Sequence, residues 1–77
     1  MTARPLKHSL TLHGHRTSVS LEAAFWDALR NLALREGMSV NQLVAIIDDA
    51  RNGDAGLASA IRLHVLADLT RERDVAG

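Results

Sequence analysis

The chain has no cysteine and no tyrosine, and only one proline, one tryptophan and one phenylalanine. Without cysteine there are no disulfides, no thiolate metal sites and no thiol nucleophile, a composition that fits a reducing compartment. No apolar run approaches the ~20 residues that span a bilayer. Met1 to Lys7 leads into an alternating segment and not into the apolar centre of a signal peptide, so a soluble, cytoplasmic protein is the expectation. There is no glycine-rich phosphate loop, and Asp48 and Asp49 are neighbours that point apart on a helix. No enzyme and no cofactor are therefore expected. His13 and His15 flank Gly14, but no further residues follow at zinc-ligand spacing, so no metal site is expected either.

Length adds a constraint. A 77-residue chain rarely gains more than roughly 3–5 kcal/mol from its own core without staples. Oligomerisation is the route left open, and a 47% hydrophobic composition supplies enough apolar surface for a shared core.

The formal net charge is zero, but it is unevenly spread. Arg4, Lys7 and Arg16 lie in the first twenty residues with no acid among them, so that segment is +3 and the remainder −3. Such asymmetry orients a protein on a phosphate surface.

The most specific pattern is Arg16-Thr-Ser-Val-Ser-Leu21. In a strand, Thr17, Val19 and Leu21 share one face, and Arg16, Ser18 and Ser20 share the other. The second face holds only hydrogen-bonding side chains, which suits a polar, anionic, ridged surface such as the DNA major groove. Residues His8 to Leu12 also alternate, but with Leu10 and Leu12 at even positions. A regular strand cannot change phase, so Gly14 must reset it, either by a hairpin turn or by a bulge in one continuous strand.

After Leu21 the period becomes helical. A first helix is predicted over 22–36, with Phe25, Leu29, Leu32 and Ala33 as its stripe, widened by Trp26 and Ala28, and with Gly37 as its stop. A second is predicted over 39–52, opened by the capping-box pattern Ser39-Val-Asn-Gln42. It carries Leu43, Val44, Ile46, Ile47 and Ala50, an apolar circumference that asks for burial against another chain. Residues 51–56 read as a turn. A third helix is predicted over 57–73, with Leu57, Ala58, Ile61, Val65, Leu66 and Leu69 as its stripe and Arg62, His64, Asp68, Arg71, Glu72 and Arg73 largely outside. Residues 1–7 read as a flexible arm, 8–73 as one domain with its strand or strands in 8–21, and 74–77 as a frayed tail. The fold class is mainly α with a short β-ribbon.

A short strand with an unpaired edge is not stable alone. If 16–21 were the only strand, its partner would be the same strand of a second copy, in an isologous homodimer. Here the chain resembles the ribbon-helix-helix family of bacterial DNA-binding proteins, the Arc and MetJ type, on Arg16-Thr-Ser-Val-Ser-Leu21, the helix to Glu36, the turn Gly37-Met-Ser-Val-Asn41 and the helix from Leu43. It looks closest to a short subfamily that reads much like His8-Ser-Leu-Thr-Leu-x-Gly-His-Arg-Thr-Ser-Val-Ser-Leu-Glu-x-x-Phe-Trp-Asp-Ala-Leu29, with a third segment like Ser59-Ala-Ile-Arg-Leu-His-Val-Leu66.

The resemblance implies an intertwined homodimer that binds double-stranded DNA, and leaves open whether dimers assemble further on it. It implies Arg16, Ser18 and Ser20 as base-contacting residues, with Arg16 the strongest discriminator, for guanine. The N-terminus of the second helix, at Ser39, Val40 and Asn41, is implied to clamp a backbone phosphate, which the positive end of a helix favours; Lys7 and Arg4 are further phosphate candidates. Val19, Leu21, Phe25, Trp26, Leu29, Leu43, Ile46 and Ile47 are the expected dimer core. The functional expectation is a transcriptional regulator, most simply a repressor. The competing expectation is an antitoxin or adaptor that binds a protein partner, for which the third helix offers an apolar stripe.

Overall fold

In a computed structural model, backbone is described for residues 4–51 and 56–76, and side chains as far as residue 71. The expectations for residues 1–3 of the arm, for 52–55 of the second turn, for Gly77 and for the Glu72 and Arg73 side chains lie outside the described residues. Two strands precede three helices: β1 (Pro5–Leu12), β2 (His15–Glu22), α1 (Ala23–Arg35), α2 (Val40–Ala50) and α3 (Leu57–Ala76).

The phase change at Gly14 is a hairpin. β1 and β2 pair antiparallel, from Pro5 opposite Glu22 to Leu12 opposite His15. The turn has two residues, His13 at φ 53° and Gly14 at φ 78°, the doubly positive geometry that matches strand twist in tight hairpins. With two residues in the turn, every even-numbered residue of β1 lies opposite an odd-numbered residue of β2. Leu10 therefore shares a face with Thr17, and Leu6 with Leu21. The condition that called for a second chain to complete the ribbon is not met, because β1 is the partner of β2. β1 also starts at Pro5, inside the stretch read as an arm. It is held there by Trp26, whose Nε1–H donates to the Leu6 carbonyl at 2.8 Å. The His8 ring meets the Trp26 ring edge-on, with centroids 4.5 Å apart.

Each helix boundary has a local cause. Glu22 is the extended residue before α1 and makes no side-chain cap, since its carboxylate is taken by Arg62. α1 ends in a Schellman motif: Met38 N–H donates to Ala33 O at 2.9 Å, Gly37 N–H donates to Leu34 O at 3.1 Å, and Gly37 supplies φ 71°. The capping box of α2 is formed as expected. Gln42 N–H donates to Ser39 Oγ at 3.1 Å, and Ser39 N–H donates to Gln42 Oε1 at 2.8 Å. α3 continues to Ala76, past the end expected at residue 73.

The core joins Leu10, Leu12, Val19 and Leu21 from the inner face of the hairpin to Trp26, Leu29, Leu32 and Ala33 of α1, Leu43, Val44 and Ile47 of α2, and Ile61 and Val65 of α3. Apolar burial of this kind contributes about 25 cal/mol per Å². The burial expected from a second chain is thus found within one chain for six of the eight residues named for a dimer core. Phe25 is half-buried against the same core, and Ile46 is 51% exposed, because α2 turns only the Leu43–Val44–Ile47 side toward the strands and α3. On α3 the expected stripe is too wide. Ile61 and Val65 are buried, but Leu66 is 57% and Leu69 48% exposed. A straight helix offers one side to the core, and the Ile61–Val65 side takes it.

Candidate nucleic-acid interface

The outward face of the hairpin follows from its register. Lys7 lies opposite Ser20, Ser9 opposite Ser18 and Thr11 opposite Arg16. All six side chains are exposed, and none is apolar. The inner face, one residue out of phase, carries Leu10, Leu12, Val19 and Leu21. The three residues expected to contact bases, Arg16, Ser18 and Ser20, therefore form one exposed row, with Lys7, Ser9 and Thr11 beside them. Sequence reasoning named Lys7 only as a phosphate contact and missed Ser9 and Thr11. The signal for them was the phase change at Gly14, which, read as a two-residue hairpin, puts odd-numbered residues of β1 on the polar side.

The ribbon is braced at its base from below. The Glu22 carboxylate, opposite Pro5, receives two bonds from α3, Arg62 Nε at 2.9 Å and Arg62 Nη2 at 3.0 Å. This bidentate hydrogen bond holds the Glu22 carboxyl below the usual carboxylate range, with a lesser Coulombic pull from the same guanidinium. Arg62 also lies 5.8 Å from the centre of the Phe25 ring. The one acid of the hairpin is thus neutralised at the end of the polar face. Arg62, expected largely outside, serves as a tie between α3 and the ribbon. Asp68, also expected outside, accepts from Arg35 Nη2 at 2.6 Å and Arg71 Nη2 at 3.0 Å. The Arg35 bond is the main cause of its lowered pKa.

At the start of α2 the capping box occupies the Ser39 N–H and its hydroxyl. The N–H groups of Val40 and Asn41, in the first turn, have no intrahelical partner. These are the donors that could meet an anion there. Arg4 is exposed at the entry to β1.

The hairpin tip reaches α2. His13 Nε2 is 2.8 Å from Asp49 Oδ1, and ligand atoms of His13, Asp48 and Asp49 lie within 4.8 Å of one another. Residues 36 positions apart meet here, a grouping that spacing alone does not reveal. Asp48 is already engaged by Arg51 Nε at 2.6 Å, and His13 and Asp49 are exposed.

None of the described helices is long and apolar enough to cross a membrane.

A ribbon-helix-helix domain family matches residues 5–69. No curated protein matches the chain. Among solved structures, an uncharacterized protein from Bordetella pertussis Tohama I superposes with a TM-score of 0.79 at 36% identity, over 91% of this chain and 59% of that one. The chain thus spans about three fifths of the length of that neighbour. A polar two-stranded ribbon, a Schellman-terminated first helix, a boxed second helix and a family match over most of the sequence agree: the chain belongs to the ribbon-helix-helix family.

Proposed function

We propose that this chain is a sequence-specific DNA-binding transcriptional regulator, acting as a repressor in the bacterial cytoplasm. It works as a homodimer and lays the polar face of an antiparallel two-stranded ribbon in the major groove. The observation that carries the reading is the exposed row of Arg16, Ser18 and Ser20 on the side of the hairpin turned away from the core. The guanidinium of Arg16 suits the two acceptors on a guanine edge, and the two hydroxyls serve either as donors or as acceptors. Lys7, Arg4 and the first-turn N–H groups of Val40 and Asn41 supply phosphate contacts that fix register without reading sequence.

The test is to incubate the purified protein with sheared genomic DNA from its source, at near-physiological salt, and to sequence what is retained. A discrete, two-fold symmetric site is the expected result. Its affinity should fall with salt at a log–log slope of about −0.9 per phosphate contact. Retention of nothing, or of random fragments lost on a modest rise in salt, would reject the regulator.

A second reading, a protein-interaction module of the antitoxin or adaptor kind, is favoured by α3. There Leu63 is 64%, Leu66 57% and Leu69 48% exposed, an apolar strip the core does not use. A partner held on that strip would show little dependence on salt.

A further inference from the structure

We infer that the turn between β1 and β2 and the end of α2 together bind one divalent transition-metal ion of the zinc or nickel class, with His13, Asp48 and Asp49 as its ligands. The site is separate from the polar face of the ribbon, and the inference stands whether or not the chain binds DNA.

Spacing along the chain gave no reason to expect a metal, because only His13 and His15 are close in sequence. The fold adds the missing donors. The turn holds His13 at φ 53°, and its ring crosses to the last turn of α2, where Nε2 lies 2.8 Å from Asp49 Oδ1. Asp48 stands beside it, and one ligand atom from each of the three side chains lies within 4.8 Å of the others. Ligand atoms held at about 2.0–2.2 Å around a tetrahedral ion are roughly 3.4 Å apart. Small side-chain rotations close that difference, and the His13 and Asp49 side chains are free to make them, being 53% and 64% exposed. His13 and Asp48 also line an open cleft of about 300 Å³ with His15, Thr17 and Arg51. That space accommodates the waters that complete an ion's coordination.

The donors select the class of ion. Exposed carboxylates alone are common without any metal, and they suit calcium or magnesium. An imidazole nitrogen among them suits zinc, nickel or copper(II), and there is no sulfur to favour copper(I). Electrostatics point the same way. Asp48 and Asp49 lie in the last turn of α2, at the negative end of the helix dipole, where acids are unfavourable and a cation is favourable. Arg51 brings one positive charge there, through Nε to Asp48 Oδ1 at 2.6 Å. A carboxylate has about four lone-pair sites, so Asp48 can keep Arg51 and still meet an ion. Arg51 then acts as the outer partner that orients the ligand. His13 binds as neutral imidazole. The ion takes the place of the Nε2 proton that faces Asp49, and that proton passes to Nδ1 or to solvent.

The experiment is calorimetric titration of the full, tag-free chain with Zn²⁺, with thermal melts in parallel, for the wild type and for His13→Asn, Asp48→Asn, Asp49→Asn and His64→Ala. Asparagine tolerates positive φ, so His13→Asn removes the imidazole and keeps the turn. Melts without metal establish that each variant is folded. The expected result is one saturable ion per chain. The thermal midpoint should rise by about 10 °C at free Zn²⁺ about a hundredfold above Kd. Binding should weaken about tenfold or more in His13→Asn, Asp48→Asn and Asp49→Asn, and stay unchanged in His64→Ala. Co²⁺ in place of Zn²⁺ should give a visible absorption band that His13→Asn removes. The inference is overturned if the wild type shows neither saturable binding nor a metal-dependent rise, which leaves His13 and Asp49 as an ordinary surface ion pair. It is also overturned if His13→Asn binds as tightly as the wild type, or if Mg²⁺ displaces Zn²⁺ at equal concentration, since acids alone would then hold the ion. Loss of binding in His64→Ala overturns it as well, by moving the site to α3.

Discussion

The two faces of the hairpin share one backbone and one pair of strands, yet they do opposite work. Toward the helices, Leu10, Leu12, Val19 and Leu21 are all less than a tenth exposed. Away from them, Lys7, Ser9, Thr11, Arg16, Ser18 and Ser20 are open to solvent. Side chains that differ by one position in sequence belong to different problems, one of stability and one of recognition. The period of two makes the separation clean. Changes on the outer face should alter binding with little effect on folding, and changes on the inner face the reverse.

The sharpest way to break that division is on the inside. Leu21 is fully buried, and Leu21→Ala should lower unfolding stability by about 2–5 kcal/mol in urea titrations, through lost transfer energy and the cavity left behind. An outer-face change comes next. Arg16→Ala should remove about 1–3 kcal/mol of discrimination at one base pair, measured by competition between the selected site and its single-base variants. Its melting curve should match the wild type; a large shift there would show that the two faces are coupled.

Third is the turn that sets which face is which. A Cβ at Gly14 would meet nothing within 4 Å, so Gly14→Ala tests backbone strain alone. At φ 78° it should cost about 1–2 kcal/mol. The smallest effect concerns pH. Arg62 holds the Glu22 carboxyl below its ordinary range, and Arg35 does the same for Asp68. A carboxyl with a lowered folded-state pKa contributes its full stability above the unfolded value, ~4. That contribution is lost as pH falls through the lower folded value. Thermal midpoints should therefore fall modestly between neutral pH and pH 3, and less so in Arg62→Ala, where the Glu22 part is already missing.

Much of this was legible from local patterns. The polar row Arg16, Ser18, Ser20, the stop at Gly37 and the capping box at Ser39 each depend on residues within a few positions of one another, and the structure forms all of them. The reset at Gly14 was legible as a necessity, but not its form, because a bulge and a hairpin both repair the phase. Choosing between them depends on where β1 packs, and that is fixed by Trp26, twenty residues from the Leu6 carbonyl it holds. That open choice also left Ser9 and Thr11 unassigned to the outer face. Distance along the chain hid the Glu22–Arg62 and Arg35–Asp68 pairs, which span 40 and 33 positions. On α3 the periodicity was real but did not say which side would win. Leu66 and Leu69 match the spacing of Ile61 and Val65 well enough to be counted with them, and only the limited width of the core leaves them outside.

Trp26 is the sole tryptophan of a chain that has no tyrosine, and its indole is 2% exposed, at the joint where β1 meets α1. The molecule therefore carries one built-in optical gauge, placed at the seam between β1 and α1. Its emission should report release of that strand as a red shift, without any attached dye. It should remain blind to contacts made on the far side of the ribbon unless those contacts peel the hairpin from the helices.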